Sequence, residues 1–577
     1  MTDLRLAFLS SCTSEFLQQP LKSALELFSV RPSIWTGGFG QYRQDILNPK
    51  SELYEYTPDV IVLCLDGPDL LQEINENPFG FSEKARRDCA EDCAAETATL
   101  VDTLAQRLPQ TTILLNTLAV DPLNTFVGLE YNSEFGIQDV VATYNRSLSA
   151  LARRLPMLKI VDVASLAADI GFKNWYDSRM WYLARSRWSR TAAKALAELY
   201  AAAIGSSLGR LRKCVVVDLD NTLWGGIVGE DGLAGLSLGE DGIGRSYVEF
   251  QQELLNLYSK GVLLAVCSKN NPEDALHVIR RHPAMRLREQ HFAAMRINWE
   301  DKASNLRALA EELNIGLDSF VFIDDNPVER SLICQVLPEV LVPDWPADSG
   351  EYKRALLELS AKHFYKTGIT AEDRRAGEAY RAQAERRKLQ ESATSLEDFH
   401  RTLEMRVRIG RADTFTVPRI AQLTQKTNQF NLTTRRYSEA QISSMTQDPN
   451  CAIWWLDLAD KFGPNGLVGV LLLRRLTAEV WAIDTFLLSC RVMGRTVEDA
   501  FLAVVAHEMD ASRLIGEYRP TAKNSVVRDL YQRFGFHQTG VDGHGLLWEL
   551  EKPTTRLTIP KWFEIEVASS GLVSAAI

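Results

Sequence analysis

Short unbroken apolar runs alternate with helix-like stretches along the first part of the chain. Runs at residues 5–11, 60–66, 112–116 and 158–163 are continuous rather than alternating, the pattern of strands buried on both faces of a parallel sheet. Helical segments at 84–107 and 139–154 fall between them, which predicts an α/β layout for residues 1–208. The rhythm restarts at residues 214–217, 263–267 and 320–323, with a further short run at 340–342. Residues 346–400 turn polar and rich in Ala, Glu, Lys and Arg, and read as a helical connector. Beyond residue 401, runs at 452–458, 467–473 and 480–488 read as neighbouring strands, followed by a helix over 496–509. A strand end at Tyr518 and a helix over 523–534 complete this part, and the last residues form a loose tail.

Composition narrows the classes of function. At 577 residues the chain is too long for a single core. Its formal charge of −11 argues against a nucleic-acid partner. No apolar run is long enough to span a bilayer, and residues 1–30 lack the features of a signal peptide. The nine cysteines have no regular spacing, and Cys89 and Cys93 have no companion pair that would make a zinc site. A cytoplasmic protein with reduced thiols is the expectation.

The chemistry concentrates where three middle strands end. Val217 runs into Asp218-Leu219-Asp220-Asn221-Thr222, Cys267 into Ser268, and Ile323 into Asp324-Asp325-Asn326, while Lys302 lies near a helix start upstream of the last strand. Open α/β sheets bind ligands at such carboxyl ends. Crowded carboxylates suit Mg²⁺, with Asp218, Asp220, Asp324 and Asp325 as expected ligands. One carboxylate can form an aspartyl-phosphate, a second can act as general acid and then base, and a hydroxyl and an ammonium can hold phosphoryl oxygens. A lone Asp-x-Asp is usually a solvated turn. Four such pieces in order, each at or before an apolar strand end, are hard to explain as accident.

The arrangement resembles the haloacid dehalogenase (HAD) phosphatase superfamily. By that resemblance Asp218 is the nucleophile, Asp220 the acid/base, Ser268 and Lys302 the second and third motifs, and Asp324–Asp325 the metal-binding fourth. The glycine-rich insert between Thr222 and Tyr247 is too short for a large cap domain. Longer wording is similar to the FkbH-like proteins of polyketide biosynthesis: Asp218 through Gly226, Val228 through Gly232, Phe322 through Pro327, Thr427 through Leu432 and Ser489 through Arg495. That resemblance implies an enzyme that dephosphorylates 1,3-bisphosphoglycerate and loads a glyceryl unit onto the phosphopantetheine thiol of an acyl carrier protein. Its rivals are a Mg²⁺-dependent phosphatase acting on another small phosphate ester, and a non-catalytic assembly-line scaffold.

The flanking parts resemble two further folds. Residues 401–560 look like a GNAT-type α+β acyltransferase domain, in which Arg491, Gly494 and Arg495 precede a helix and would bind the phosphopantetheine arm. Cys490, beside two arginines, is the candidate acyl-accepting thiol, and Cys12 is its rival. Residues 1–208 look like an SGNH-type hydrolase, with Ser10-Ser11-Cys12 after the first strand and Asn116 and Asp177 near later blocks. The first histidine of the chain is His277, so a triad base is missing and a non-hydrolytic role is expected. The aromatic and basic stretch 175–190 could meet an acidic carrier protein. The expected architecture is therefore α/β multidomain: an SGNH-like α/β domain (1–208), a HAD-like Rossmannoid domain (209–345), a helical connector (346–400), a GNAT-like α+β domain (401–560) and a tail (561–577).

Overall fold

The computed structural model describes residues 2–369, 395–509, 511–521, 523–543 and 545–568, together with Asp373, Ala382, Arg386 and Leu389, the side chains of Tyr131, Cys490 and Asp542 excepted. Most of the expected connector after residue 369, and the end of the chain, lie outside the described residues. The chain is a mixed α/β multidomain protein that forms two compact units.

The first unit runs to Arg210 and adds Tyr365–Thr367 and Tyr437–Ser444. Its five strands are β1 (Thr2–Ser10), β2 (Val30–Thr36), β3 (Val60–Cys64), β4 (Thr112–Asn116) and β5 (Leu158–Val161). They make a parallel sheet in the order β2-β1-β3-β4-β5. Every residue of β3 and β4 is buried, as strands covered on both faces require. The helix Glu83–Arg107 starts where the Ser82 hydroxyl accepts from the Ala85 N–H.

The second unit contains two sheets. The smaller comprises β6 (Cys214–Val217), β7 (Leu263–Ser268), β8 (Phe292–Ile297) and β9 (Phe320–Ile323), all parallel, in the order β8-β7-β6-β9. The central β6 aligns Val217 with Val266 on one side and Ile323 on the other. That register sets Asp218 beside Asp324. The run at 340–342 yields only an isolated bridge, Val321 to Leu341. Trp345, Phe250 and Tyr352 pack ring against ring at 5.3–5.6 Å, and Leu356, Leu359 and Phe364 join the same core. The helix Tyr352–His363 thus belongs to this core, and the boundary drawn at residue 345 falls short.

The larger sheet has eight strands: β10 (Met405–Arg411), β11 (Cys451–Asp460), β12 (Gly463–Arg475), β13 (Val480–Leu488), β14 (Arg513–Tyr518), β15 (His537–Asp542), β16 (Gly545–Glu551) and β17 (Phe563–Ala568). Their order is β15-β16-β14-β13-β12-β11-β10-β17. β17, in the segment expected to be tail, pairs in parallel with β10. The expected helix over 523–534 is broken into Ser525–Val527 and Leu530–Arg533. Buried Asn524 ties down the chain just ahead of the first piece: its amide donates to the Asn431 and Arg519 carbonyls and accepts from the Thr521 N–H.

Candidate phosphoryl-transfer site

Each residue of the site is delivered by a strand end or helix start of the smaller sheet. Asp218 follows β6, and its N–H donates to the Ile323 carbonyl at 3.0 Å, extending the ladder by one step. Ser268 ends β7 and is buried. Lys302 opens the helix Lys302–Leu313, whose start is capped by Asp301 accepting from the Ser304 N–H. Asp324 and Asp325 follow β9, and Asn326 caps the next helix, Pro327–Val336.

The side chains converge. The buried Lys302 ammonium lies 3.1 Å from Asp218 Oδ2 and 2.5 Å from Asp324 Oδ2. Oxygens of Asp218, Asp324 and Asp325 all lie within 4.8 Å of one another, the one such cluster among the described residues. Burial works against the Lys302 charge, but Asp218 and Asp324 outweigh it and hold the ammonium above its ordinary range. Burial, and then the Asp218 charge, pushes Asp324 up to about 6 against the pull of Lys302. Asp325 is raised by the same two causes in the same order. Thr222 fixes Asp325 from behind, its hydroxyl accepting from the Asp325 N–H at 3.2 Å.

The donor set fits a hard divalent cation. Asp218 Oδ1 is buried without a hydrogen-bond partner, and the converging oxygens are all carboxylate. The Asp220 carboxylate, expected among the ligands, is not part of this group. Trp224 Nε1 donates to its Oδ1 at 2.8 Å, the Val228 N–H to the same oxygen at 3.1 Å, and Asn270 Nδ2 to its Oδ2 at 2.8 Å. Burial still raises Asp220 above the usual carboxylate range despite these donors. That suits a proton carrier better than a metal ligand. Asn221, between the two aspartates, takes a left-handed backbone (φ 54°), which asparagine tolerates well. Its Oδ1 accepts from the Gly226 N–H, and its carbonyl accepts from the Tyr352 hydroxyl.

Trp224 and Asn270 hold the Asp220 carboxylate, and Arg330 Nη1 donates to the Asp324 and Asp325 carbonyls; none of the three is among the expected site residues. Trp224 sits within a quoted motif and Asn270 two residues past Ser268, and their roles follow only from the turns that aim them at Asp220. Arg330 lies outside the site expectations. An arginine in the first turns of a helix that begins just after an Asp pair is the one signal that could have found it.

Outside the central site, sequence and structure diverge. Arg495 is buried and donates to Asp460 Oδ2 at 2.9 Å and to the Arg491 carbonyl at 2.5 Å. Asp460 also takes a two-point grip from Arg386. Burial and the nearby Arg386 push Arg495 down to about 9, with Asp460 opposing. Its guanidinium serves a buried ion-pair cluster, which corrects its expected role in binding the pantetheine arm. Gly494 (φ 76°) turns the chain ahead of the helix Val497–Glu508, and Arg491 Nε donates to the Ser489 hydroxyl at 3.3 Å. The side chain of Cys490, the candidate thiol, lies outside the described residues. Cys12 is buried, and its thiol is raised well above the ordinary range by burial and then by Asp66.

In the first unit the expected polar residues are tied into the fold. Asn116 bridges β3 and β4, accepting from the Leu65 N–H at 2.8 Å and donating to the Leu65 carbonyl at 2.7 Å. Asp177 caps the helix Ser178–Ala184 through the Met180 N–H. Arg187, from the basic stretch, stacks over Trp181 at 3.7 Å and pairs with Asp66 at 2.8 Å and Asp69 at 2.6 Å.

Residues 5–198 match the family model of the FkbH N-terminal domain. The N-terminal part of the Bacteroides fragilis protein BF1531, a crystal structure containing a phosphatase domain complexed with Mg, is 27% identical and covers 64% of this chain and 96% of its own, with a TM-score of 0.57. The Escherichia coli ribosomal-protein-S18-alanine N-acetyltransferase is 15% identical over 29% of this chain and 99% of its own, with a TM-score of 0.20. A GDSL-like lipase from Parabacteroides merdae is 12% identical over 35% of this chain and 95% of its own, with a TM-score of 0.25. No curated protein matches the chain. No described helix is long and apolar enough to cross a membrane. Residues 5–198 thus resemble the FkbH N-terminal domain, the chain resembles a structure containing a Mg-bound phosphatase domain, and the resemblance to FkbH-like proteins drawn from its motifs is borne out.

Proposed function

We propose that this protein removes phosphate from 1,3-bisphosphoglycerate and transfers the glyceryl unit to the phosphopantetheine thiol of an acyl carrier protein. The observation that supports this reading most is the Asp218–Lys302–Asp324 cluster, with Asp218 Oδ1 unpartnered and Asp220 held close by on separate donors. The family resemblance supplies the substrate and the carrier.

Asp218, Asp324 and Asp325 would hold Mg²⁺, which, when bound, offsets the charge of the phosphoryl oxygens and of the carboxylates themselves. The rest of the chemistry belongs to the chain. Asp218 attacks phosphorus, forming an oxygen–phosphorus bond as the ester oxygen leaves. Asp220 gives that oxygen its proton and then takes one from the water that hydrolyses the aspartyl-phosphate. Lys302 pairs with Asp218 and Asp324 and, with Ser268, holds phosphoryl oxygens. At the acyl-phosphate end a thiolate attacks the carbonyl carbon, making a thioester and expelling inorganic phosphate. Cys490 is our candidate for a protein thiol in this step. In the finer fold reading, the GNAT-like part binds the pantetheine arm at the Gly494 turn, with Arg491 nearby and Arg495 holding the turn from behind. The SGNH-like part serves a non-hydrolytic role.

Intact-mass measurement of a phosphopantetheinylated carrier, incubated with enzyme, Mg²⁺ and freshly generated 1,3-bisphosphoglycerate, tests this. A mass gain of one dephosphorylated glyceryl unit, lost with Asp218→Asn, is expected. Phosphate release with an unmodified cognate carrier would leave a phosphatase and end the transferase reading.

A further inference from the structure

The Asp324–Asp325 pair lies just past the end of β9, where the ladder to β6 stops at Ile323. Beyond a strand end, peptide orientation must be fixed by other groups, because carboxylate direction follows backbone direction. Two of the N–H groups here are settled locally. The Asp325 N–H donates to the Thr222 hydroxyl, and the Asn326 N–H donates to Asp324 Oδ1 at 2.9 Å. Pro327, next in line, has no N–H to offer.

Arg330 answers both carbonyls. It lies in the helix Pro327–Val336, and its backbone N–H follows the helical pattern to the Asn326 carbonyl. Its guanidinium folds back over the helix start, and Nη1 donates to the Asp324 carbonyl at 2.8 Å and to the Asp325 carbonyl at 2.7 Å. One planar, always-charged group thus holds two successive peptides of the acidic pair. It also brings positive charge to a site where three carboxylates converge within 4.8 Å.

We infer that Arg330 is a positioning residue for the cation site, orienting the Asp324 and Asp325 carboxylates toward Asp218 through their backbone. This rests on the metal-binding reading of the cluster. Groups that orient metal ligands from behind change metal affinity by about 10- to 100-fold when removed.

Titration calorimetry of the purified full chain with Mg²⁺ tests the inference, with melting of the metal-free protein followed alongside. Arg330→Met should weaken Mg²⁺ binding by about 10-fold or more and leave metal-free melting nearly unmoved. Arg330→Lys, which keeps a cationic donor on the same helix position, should recover part of the affinity. Mg²⁺ affinity within about twofold of wild type in Arg330→Met would overturn the inference. So would weak binding that Arg330→Lys fails to recover and that comes with a large drop in metal-free melting, since that pattern marks a general structural role. If the wild-type chain itself binds no Mg²⁺, the metal reading fails, and the role of Arg330 fails with it.

Discussion

β1, β3 and β4 of the first unit and β6, β7 and β9 of the second are alike in being buried parallel strands that present polar side chains at their carboxyl ends, yet those side chains are used differently. In the first unit the polar groups at the strand ends close on one another, Asp66 Oδ2 through its ion pair with Arg187 and without a hydrogen bond. Asn116 spans two strand ends, Arg187 takes both Asp66 and Asp69, and the Tyr176 hydroxyl donates to the Ala119 carbonyl. In the second unit one buried cation faces two of three converging carboxylates, and Asp218 keeps an oxygen with no partner. A sheet whose polar ends satisfy one another is locked. One that leaves a buried carboxylate oxygen open has stored a place for a ligand.

Substitutions should separate the two regions. Removing the Lys302 charge by Lys302→Met leaves the Asp218–Asp324 pair uncompensated, and kcat for phosphate release should fall roughly a thousandfold. A fall of less than about tenfold would show that the ammonium only supports the fold. In the first unit, Asn116→Ala should strand the Leu65 peptide groups and cost about 2–4 kcal/mol in denaturant unfolding, with kcat of the folded protein unchanged. A loss of kcat there would break the contrast. Proton competition gives a smaller effect. With Asp324 pushed up to about 6, protons compete with the cation below that pH, so Mg²⁺ affinity should drop about tenfold per pH unit on the acid side and level off above. An affinity flat from pH 5 to pH 8, about the range spanned, would remove Asp324 from the ligand set. Smallest of all, Cys12 should stay unalkylated by iodoacetamide in the native protein, and Cys12→Ser should leave carrier loading intact.

The strands most legible in the sequence are those buried on both faces, whether central or, like β9, at the end of a sheet. The runs at 112–116, 214–217, 320–323 and 480–488 match β4, β6, β9 and β13 residue for residue, because burial on both faces demands unbroken apolar sequence. Those missed lie mostly at edges. β2 carries Pro32 and Ser33, β8 carries Arg296, and β17 alternates Glu with apolar residues; each borders a sheet and needs only one covered side. The aspartates of the central site were legible because strand ends and spacing mark them together. The withdrawal of Asp220 onto Trp224 and Asn270 was not, since it depends on a turn geometry that spacing does not encode. Arg495 was misread for the complementary reason: its partner Asp460 is distant in sequence, and a buried ion pair leaves no periodic trace.

We propose Asp218 and its neighbours as a cation-dependent phosphoryl site. Its most direct test is phosphate release from small phosphate esters, 1,3-bisphosphoglycerate among them, with Mg²⁺ or with EDTA, for the wild-type chain and for Asp218→Asn. Release should require Mg²⁺ and disappear in Asp218→Asn while the variant melts normally. Release that persists at the wild-type rate in EDTA or in Asp218→Asn would contradict it.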